Sequence, residues 1–411
     1  MQELWGRKVL LKEIKQLTNH YQCLPTMKER TSRSIQCLRC GQLHEKQTVK
    51  LFNGIYFCPA CIQLGRVDTG QCFYHLPEPE LIPRSVDFSW EGELTKGQQE
   101  VSDSLLTSAD KGESKMVWAV TGAGKTEMLF NTIHDCLGKG KRVAIASPRV
   151  DVCLELFPRI QAVFPNEEMI LLHGKMEEDY RYTKLLVCTT HQLLRFFQAF
   201  DLLIIDEVDA FPFVGNPLLQ YGVAQAIKKD SSLIYLTATP TQELKKMTNQ
   251  NQLKLSILPA RYHRRCLPVP KIKWSNHWQK KITHGKAPKG LLTLIRQLLV
   301  DNDLLIFCPS IVQMEQLEKI LNGIFSDIPL TCVHSQDTDR IKKVLNMRQK
   351  AYRILITSTI LERGVTFDGF SVILLGANHP VLTMAALVQI AGRFDRKMIY
   401  TAGEDWFLHD G

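Results

Sequence analysis

A glycine-rich loop between an apolar run and a helical run constrains the fold of this chain more than any other stretch. The loop spans residues 119–126 and reads Ala-Val-Thr-Gly-Ala-Gly-Lys-Thr. It follows the apolar run Met116–Val120 and opens a run typical of a helix, Thr126–Leu137. Strand, loop and helix in this order indicate a phosphate-binding loop, whose backbone N–H groups bind phosphate oxygens at a helix N-terminus. The usual pattern begins with Gly rather than Ala119, so a glycine-rich turn with a chance Lys-Thr pair is the alternative.

The spacing predicts a role for the residues of this loop. Gly122 and Gly124 allow the backbone to turn its N–H groups onto the phosphates. Lys125 is predicted to reach the β- and γ-phosphates of ATP, and the Thr126 hydroxyl to bind Mg2+. The residues predicted to bind the nucleotide here are Thr121, Gly122, Ala123, Gly124, Lys125 and Thr126.

A second apolar run ends in carboxylates. Phe200–Ile205 is followed by Asp206-Glu-Val-Asp209. At the end of a buried strand, an NTPase places one carboxylate for its metal ion and another for the attacking water. We therefore expect Asp206 to bind Mg2+ through water and Glu207 to polarise the attacking water. Two acids at a strand end also fit a solvated turn, but the order and spacing of the two stretches together predict an ATPase.

Charge is distributed unevenly along the chain. The chain has 411 residues, enough for about two or three domains, and a net charge of +9. One basic tract, Leu244–Val300, holds 13 Lys and Arg and no Asp or Glu, and it includes Tyr262, Trp274 and Trp278. Cations with interleaved aromatic rings suit single-stranded nucleic acid, and a solvated linker between domains is the alternative. No apolar run reaches the roughly 18 residues of a membrane span and the N-terminus does not fit a secretory signal, so we expect a cytoplasmic protein.

Strand and helix patterns alternate before and after the basic tract, which predicts parallel sheets wrapped by helices. Besides those above, the predicted strands are Arg142–Ser147, Met169–His173, Leu185–Thr190, Leu233–Leu236, Leu304–Cys308, Leu330–His334, Arg353–Thr357 and Val372–Leu375. Thr237-Ala-Thr-Pro240 follows one of these strands. Its two hydroxyls are predicted either to relay the state of the γ-phosphate or to cap a helix.

Four of the 12 cysteines form two knuckles. Cys37-Leu-Arg-Cys40 and Cys58-Pro-Ala-Cys61 are separated by 17 residues, a spacing typical of a zinc site with four thiolate ligands. Two disulfides are the alternative, and a cytosolic location argues against them. Cys23 and Cys72 flank the knuckles and are predicted to take no part in the site.

The rest of the first 90 residues predicts a small metal-stabilised β-structure. A helix is expected at Leu10–Leu17, and a hairpin within Val49–Phe57 at Asn53-Gly54. Three prolines within residues 77–83 indicate an extended linker. We expect loss of the zinc site to destabilise residues 1–90 and to spare the folding of the rest.

Gln98 lies in a run that opens the next domain, about 20 residues before the phosphate loop. Its amide offers a paired donor and acceptor, which suits the edge of an adenine. The alternative is the start of a surface helix.

Two arginines near the C-terminus share one helix face. Arg393 and Arg396 lie three residues apart in the run Gln389–Arg396. In a domain without a phosphate loop of its own, they suit arginine fingers that reach a nucleotide across a cleft, and a surface basic pair is the alternative.

These motifs, in this order, resemble a superfamily 2 helicase or translocase over about residues 91–396. They are Thr121–Thr126, Ser147–Arg149, Thr189-Thr190, Asp206–Asp209, Thr237–Thr239, Ser358–Thr366 and Gln389–Arg396. The preceding zinc knuckles, the length of the chain and the run Ala260–Arg265 resemble the late competence protein ComFA family.

The resemblance implies an α/β fold with two RecA-like parallel-sheet domains in tandem, preceded by a small zinc-ribbon β region. The expected boundaries are 1–90 for the zinc region, 91–258 for the ATP-binding domain and 259–411 for the second helicase domain. The family implies a cytosolic motor that uses ATP, Mg2+ and Zn2+ and drives uptake of single-stranded DNA. Expected partners are the membrane DNA channel, at its cytosolic face, other competence proteins and further copies of the chain.

The helicase-like motifs also indicate where DNA binds. Contacts to the DNA backbone are expected from Arg149, Thr190 and Thr359, and stacking from Trp274. The family's last motif has a small residue and Gly where this chain has Phe394-Asp395. Only 15 residues follow Arg396, which is short for completing the second sheet. A general DNA or RNA helicase of the replication-restart type, or a DNA-binding module with impaired catalysis, therefore remain alternatives.

Overall fold

The structure is a computed structural model that describes residues 2–15, 20–174, 179–262, 269–334, 336–358, 369–391 and 403–410. It divides into two compact units. The first comprises Met1–Ala119 and Gly124–Pro259, and the second comprises Val120–Ala123 and Ala260–Gly411. Each unit contains one extended parallel sheet, as the alternating sequence pattern predicts.

The cysteine-rich N-terminal region consists of short antiparallel strands. These are β1 (Gln22–Pro25), β2 (Met27–Glu29), β3 (Ser34–Cys37), β4 (Leu43–Glu45), β5 (Phe57–Cys58), β6 (Val67–Asp68) and β7 (Cys72–His75). Strand β1 pairs with β7, β3 lies between β2 and β4, and β5 pairs with β6. Three 3-10 helices, Gln2–Leu4, Leu11–Glu13 and Pro59–Leu64, belong to the same region. The expected hairpin is present, closed by a hydrogen bond from the Leu51 N–H to the Ile55 carbonyl.

The first parallel sheet has the strand order β10-β11-β9-β12-β13-β8-β14 in the described part of the chain. Its strands are β8 (Lys115–Ala119), β9 (Val143–Ser147), β10 (Met169–Leu172), β11 (Leu185–Thr189), β12 (Phe200–Ile205), β13 (Ile227–Thr237) and β14 (Lys254–Leu258). The helices are α1 (Lys96–Lys111), α2 (Phe130–Gly138), α3 (Val150–Val163), α4 (Pro217–Ala226) and α5 (Gln242–Asn249), with 3-10 turns at Glu127–Leu129 and Thr190–Arg195.

Central strands of this sheet are buried on both faces, because helices or the N-terminal region cover each side. All residues of β9 and β11 are buried. Continuous apolar runs of this kind are what a parallel sheet requires. The strands end at one edge, where the following loops bring polar side chains together.

The N-terminal region and the first sheet share one core. Buried side chains of the former, such as Leu10, Ile35 and Val49, belong to the same cluster as Ala144, Leu186 and Phe200. The four knuckle cysteines belong to this cluster too. The cysteine-rich region is therefore packed onto the sheet rather than tethered beside it.

The second parallel sheet has the strand order β15-β20-β19-β16-β18-β17 among the described residues. Its strands are β15 (Lys271–Trp274), β16 (Asp303–Phe307), β17 (Leu330–Val333), β18 (Ile354–Thr357), β19 (Phe370–Leu375) and β20 (Asp405–His409). The helices are α6 (Trp278–Thr283), α7 (Lys289–Leu298), α8 (Ile311–Ile324), α9 (Arg340–Arg348) and α10 (Met384–Ala391). Separate apolar cores cover its two faces.

Three local expectations are corrected. The helix expected at Leu10–Leu17 is a 3-10 turn at Leu11–Glu13, and Ile14 already has extended backbone angles. The basic tract is not a linker, because its described residues form α5, β14, β15, α6 and α7. The residues after Arg396 do not leave the sheet incomplete, since β20 lies between β15 and β19.

Candidate nucleotide site and cysteine cluster

The phosphate loop joins β8 to the turn that precedes α2, as the sequence predicts. Gly122 and Gly124 have φ angles of 79° and 73°, in the left-handed region that glycine adopts without strain. A side chain at Gly124 would also collide with the Gln98 amide, 2.3 Å from an ideal Cβ. Thr121 and Thr126 are buried, and Lys125 is half-buried. The loop is therefore shaped by its glycines and lies against α1.

Gln98 has a structural role at the start of α1. The Thr95 N–H donates to Gln98 Oε1 at 2.8 Å, and the Gln98 N–H donates to Thr95 Oγ1 at 3.4 Å, which forms a capping box. Gln98 is 1% exposed, so it belongs to a buried helix start rather than a surface one. The Oε1 atom of Gln98 already accepts a hydrogen bond from Thr95. Gln98 could therefore offer both its amide donor and its amide acceptor to an adenine only if this capping hydrogen bond were broken.

Asp206 and Glu207 follow β12 at the edge where the phosphate loop lies. The Asp206 N–H donates to the Ala146 carbonyl at 2.8 Å, and the Glu207 N–H donates to Asp206 Oδ1 at 2.9 Å. Burial raises the pKa of the Asp206 carboxyl, and the positive charge of Lys125 opposes this rise. Glu207 has a φ angle of 53°, a conformation that costs a non-glycine residue about 1–2 kcal/mol. Strain of this kind concentrates at functional sites.

Asp209 connects this strand end to the next one. Its carboxylate accepts hydrogen bonds from Thr237 Oγ1 at 2.7 Å and from Thr239 Oγ1 at 2.5 Å. The cap of α5 is Thr241, whose hydroxyl accepts the Leu244 N–H. The helix-cap alternative for Thr237 and Thr239 is therefore excluded, and both hydroxyls bind a carboxylate three residues beyond Asp206.

The four knuckle cysteines converge, as their spacing predicts. Their sulfur atoms all lie within 4.8 Å of one another, and all four residues are buried. Two of the Sγ–Sγ distances, Cys37–Cys61 and Cys40–Cys58, are 3.8 and 3.6 Å. A tetrahedron with zinc–sulfur bonds of about 2.3 Å has edges of about 3.8 Å. The donor set is therefore compatible with Zn2+.

Basic and hydrogen-bond-donating side chains surround the cluster, which would carry two negative charges as zinc with four thiolates. The buried Lys8 Nζ donates to the Leu38 carbonyl within the first knuckle. His44 Nε2 lies 3.3 Å from Cys58 Sγ, in reach for an N–H to sulfur hydrogen bond. The fully buried Arg39 lies within the first knuckle. Sequence spacing did not indicate Lys8 or His44.

Contacts of the knuckles reach elements that pack on the first sheet. Arg39 pairs with Glu13, which also accepts from Arg195 Nε at 2.8 Å. Burial raises the pKa of the Glu13 carboxyl, but Arg39 and the Leu10 N–H outweigh it and the pKa is lowered. Gln225 of α4 donates to the Arg39 carbonyl at 2.9 Å and accepts from Lys8. The cluster is thereby tied to both Arg195 and α4.

Cys23 and Cys72 form a disulfide between β1 and β7. They take no part in the cysteine cluster, as predicted. A disulfide between these two residues was not predicted. The pairing arises because β1 and β7 are antiparallel neighbours, with Pro25 opposite Cys72 and Cys23 opposite Tyr74.

The residues predicted to contact nucleic acid have different surroundings. Arg149 precedes α3 and pairs with Asp151 at 3.2 Å. Thr190 is fully buried, so its side chain is not available to DNA in this conformation. Trp274 is 56% exposed on the edge strand β15, whereas Trp278 of the same tract is buried in the second core. Thr359, Arg393 and Arg396 lie outside the described residues.

None of the helices in the described ranges is both long and apolar enough to cross a membrane.

The tandem parallel sheets and the phosphate loop define a superfamily 2 helicase-like ATPase. The family described as type III restriction enzyme, res subunit, matches residues 91–242, and the helicase conserved C-terminal domain matches residues 289–398. The structure of S. cerevisiae Dbp5 bound to RNA and ADP BeF3 is similar, with a TM-score of 0.58 and 14% identity over 77% of this chain and 88% of that one.

Two relatives identify the family. The competence protein ComFA of Streptococcus pneumoniae (strain ATCC BAA-255 / R6) is 40% identical over 99% of this chain and 93% of its own length. The competence protein ComFA of Bacillus subtilis (strain 168) is 39% identical over 92% of this chain and 82% of its own length. The chain belongs to the ComFA family.

Proposed function

We propose that this chain moves along single-stranded DNA at the expense of ATP and drives DNA uptake during natural transformation. The proposal rests on the edge of the first sheet, where Asp206 and Asp209 lie beside the phosphate loop. The chain that carries this edge is 40% identical to a competence protein. We further propose that its partners are the membrane DNA channel, at the cytosolic face, other competence proteins and copies of itself.

The chain's own residues divide the work of hydrolysis. Lys125 binds the β- and γ-phosphates, and the loop N–H groups hold the triphosphate in place. Glu207 orients the attacking water and accepts its proton. Thr126 and Asp206 would hold Mg2+, which would neutralise charge on the phosphates. The predicted arginines, Arg393 and Arg396, act on the γ-phosphate from the second helicase domain.

Asp209 is suited to transmit the result of hydrolysis. It lies three residues from Asp206 and binds Thr237 and Thr239 at the end of β13. A change at the metal carboxylate therefore reaches two strand ends through the short turn 206–209 and the hydrogen bonds of Asp209. We propose that this path couples the nucleotide to movement along DNA, with Arg149 and Thr359 on the DNA backbone and Trp274 stacking on bases.

The knuckle cysteines are proposed to bind one structural Zn2+. Cys37, Cys40, Cys58 and Cys61 supply the ligands, and their burial within a shared core indicates a stabilising role. Metal analysis of the purified protein is expected to give one zinc per chain.

Steady-state ATP hydrolysis with and without single-stranded DNA tests the proposal. We expect DNA to stimulate hydrolysis in the wild type, and Glu207→Gln to abolish it while DNA binding persists. Strand-displacement assays on a labelled oligonucleotide then measure movement. Matched RNA and duplex DNA arms distinguish a general helicase, which those substrates would stimulate equally. DNA binding without any hydrolysis would contradict the motor and favour an impaired binding module.

A further inference from the structure

The segment that follows β14 lies beside the phosphate loop. Strands β14 and β8 are parallel neighbours, with Leu258 opposite Ala119 at their ends. Because both strands end at the same edge, residues 259–262 continue alongside residues 120–123. Val120–Ala123 and the segment from Ala260 accordingly belong to the same compact unit. The helicase-like motifs assign no role to this segment.

Two hydrogen bonds join the segment to the loop. Arg261 Nε donates to the Thr121 carbonyl at 3.2 Å, and the Tyr262 N–H donates to the Gly122 carbonyl at 3.1 Å. Within the loop, the Ala123 N–H donates to the Val120 carbonyl at 3.2 Å and closes a turn. Both inner carbonyls of that turn are therefore held by the segment after β14.

Holding a carbonyl also fixes the next N–H group. In a trans peptide, the carbonyl of one residue and the N–H of the following residue point in opposite directions from one rigid plane. The bond from Arg261 to the Thr121 carbonyl therefore directs the Gly122 N–H away from Arg261. N–H groups of this loop are the predicted phosphate ligands, so Arg261 sets the direction of one of them.

Arg261 also places a permanent positive charge at the loop. Its side chain is 5% exposed, and its Nε and Cζ atoms lie 3.4 and 3.9 Å from an ideal Cβ on Gly122. A guanidinium keeps its charge at any physiological pH. In a buried setting this charge is screened less than at the surface, so it favours an anion at the loop.

We propose that Arg261 is a positioning residue of the nucleotide site, which holds the Thr121 peptide and raises affinity for the polyphosphate of a nucleoside di- or triphosphate. This inference rests on the proposed function only in placing the nucleotide at residues 121–126. Arg261 itself acts through the loop and need not touch the nucleotide.

Equilibrium binding of fluorescent ADP to the full chain tests the proposal. The variants are Arg261→Ala, Arg261→Gln and Arg261→Lys, with Lys254→Ala as a control that removes a cation from β14. We expect Arg261→Ala to weaken ADP binding about tenfold, in line with the loss of one charge-assisted hydrogen bond. Arg261→Lys should recover part of the loss, Arg261→Gln little, and Lys254→Ala should bind as the wild type does.

A second measurement separates positioning from stability. Unfolding temperatures of the variants should stay close to that of the wild type, while KM for ATP rises more than kcat falls. Wild-type affinity in Arg261→Ala, or in Arg261→Gln if the alanine variant does not fold, would overturn the proposal. If the wild type binds ADP without hydrolysing ATP, the motor fails and the binding comparison still decides the role of Arg261. If the wild type binds no ADP, both proposals fail.

Discussion

The two parallel sheets are alike in construction and differ at the edge where their strands end. In the first sheet, Asp206 and Asp209 follow β12 beside the phosphate loop, and Asp209 accepts a hydrogen bond from Thr237 at the end of β13. In the second, β16 leads to a buried Cys308, and β19 to Gly376, which packs against Trp278. A repeated fold therefore does not repeat the chemistry, which depends on the loops that follow each strand.

The largest expected effect separates the two edges directly. Lys125→Ala removes the phosphate-binding cation of the first sheet, and we expect ATP hydrolysis to fall at least about 100-fold. Lys343→Ala is the matched control, because Lys343 forms an ion pair with Asp337 in the second unit at 2.7 Å. Steady-state hydrolysis should stay within about twofold of the wild type there. Equal losses in both variants would break the comparison.

A second prediction concerns how far the first sheet depends on the cysteine cluster. Cys37→Ser removes one ligand from a cluster that shares a core with the sheet. We expect faster amide hydrogen exchange in β9 and β12 as well as in residues 20–75, because a structural zinc site stabilises by several kcal/mol. Exchange in the second sheet should not change.

Cys136→Ser is the control for this experiment, since Cys136 is buried in α2 outside the cluster. Faster exchange confined to residues 1–90 would instead support an independent zinc region, as the sequence alone led us to expect.

Sequence patterns predicted the strands and the phosphate loop, but not the long-range contacts between them. The strand runs and the loop residues 121–126 were predictable because buried parallel strands are continuously apolar and the loop needs glycine at fixed positions. The knuckle spacing predicted the convergence of four thiols, which the structure confirms. In each case the signal lies within a short stretch of chain.

Long-range contacts left no such signal. The pairing of Arg39 with Glu13 and the contact of Gln225 with Lys8 join residues far apart in sequence. Trp278 lies in a basic tract and looked available for stacking, yet its ring fills the second core. The sequence placed Arg261 in the basic tract and in the run 260–265 but indicated no role for it, because that role depends on β14 lying next to β8.

A third prediction tests the hydrogen bonds between Asp209 and the residues at the end of β13. Asp209→Asn exchanges a carboxylate that accepts from Thr237 and Thr239 for a neutral amide. We expect kcat for ATP to fall about tenfold, while the Kd for ADP stays within about twofold, because the change spares the phosphate loop. Asp230→Asn is the control, since Asp230 has a φ angle of 56° that asparagine also tolerates. A parallel loss of ADP affinity in Asp209→Asn would show that Asp209 holds the loop itself.

The smallest expected effect concerns a buried carboxylate in the second sheet. Asp405 of β20 is 5% exposed, and its carboxylate oxygens have no hydrogen-bond partner among the described residues. Burial raises the pKa of this carboxyl to about 7, while Arg261 acts in the opposite direction.

The raised pKa of the Asp405 carboxyl determines whether the stability of the second unit rises or falls with pH. Because the folded state binds the proton more tightly than the unfolded chain, whose Asp pKa is about 3.9, the stabilising contribution is complete below about pH 4 and is lost as pH rises to about 7. Asparagine cannot ionise, so Asp405→Asn should raise the Tm of the second unit by roughly 5 °C at pH 8 and by less at pH 5. Asp327→Asn, at an exposed site, should change neither value. An equal gain for Asp405→Asn at both pH values would mean that the buried charge costs nothing, and that the two sheets differ only in their loops.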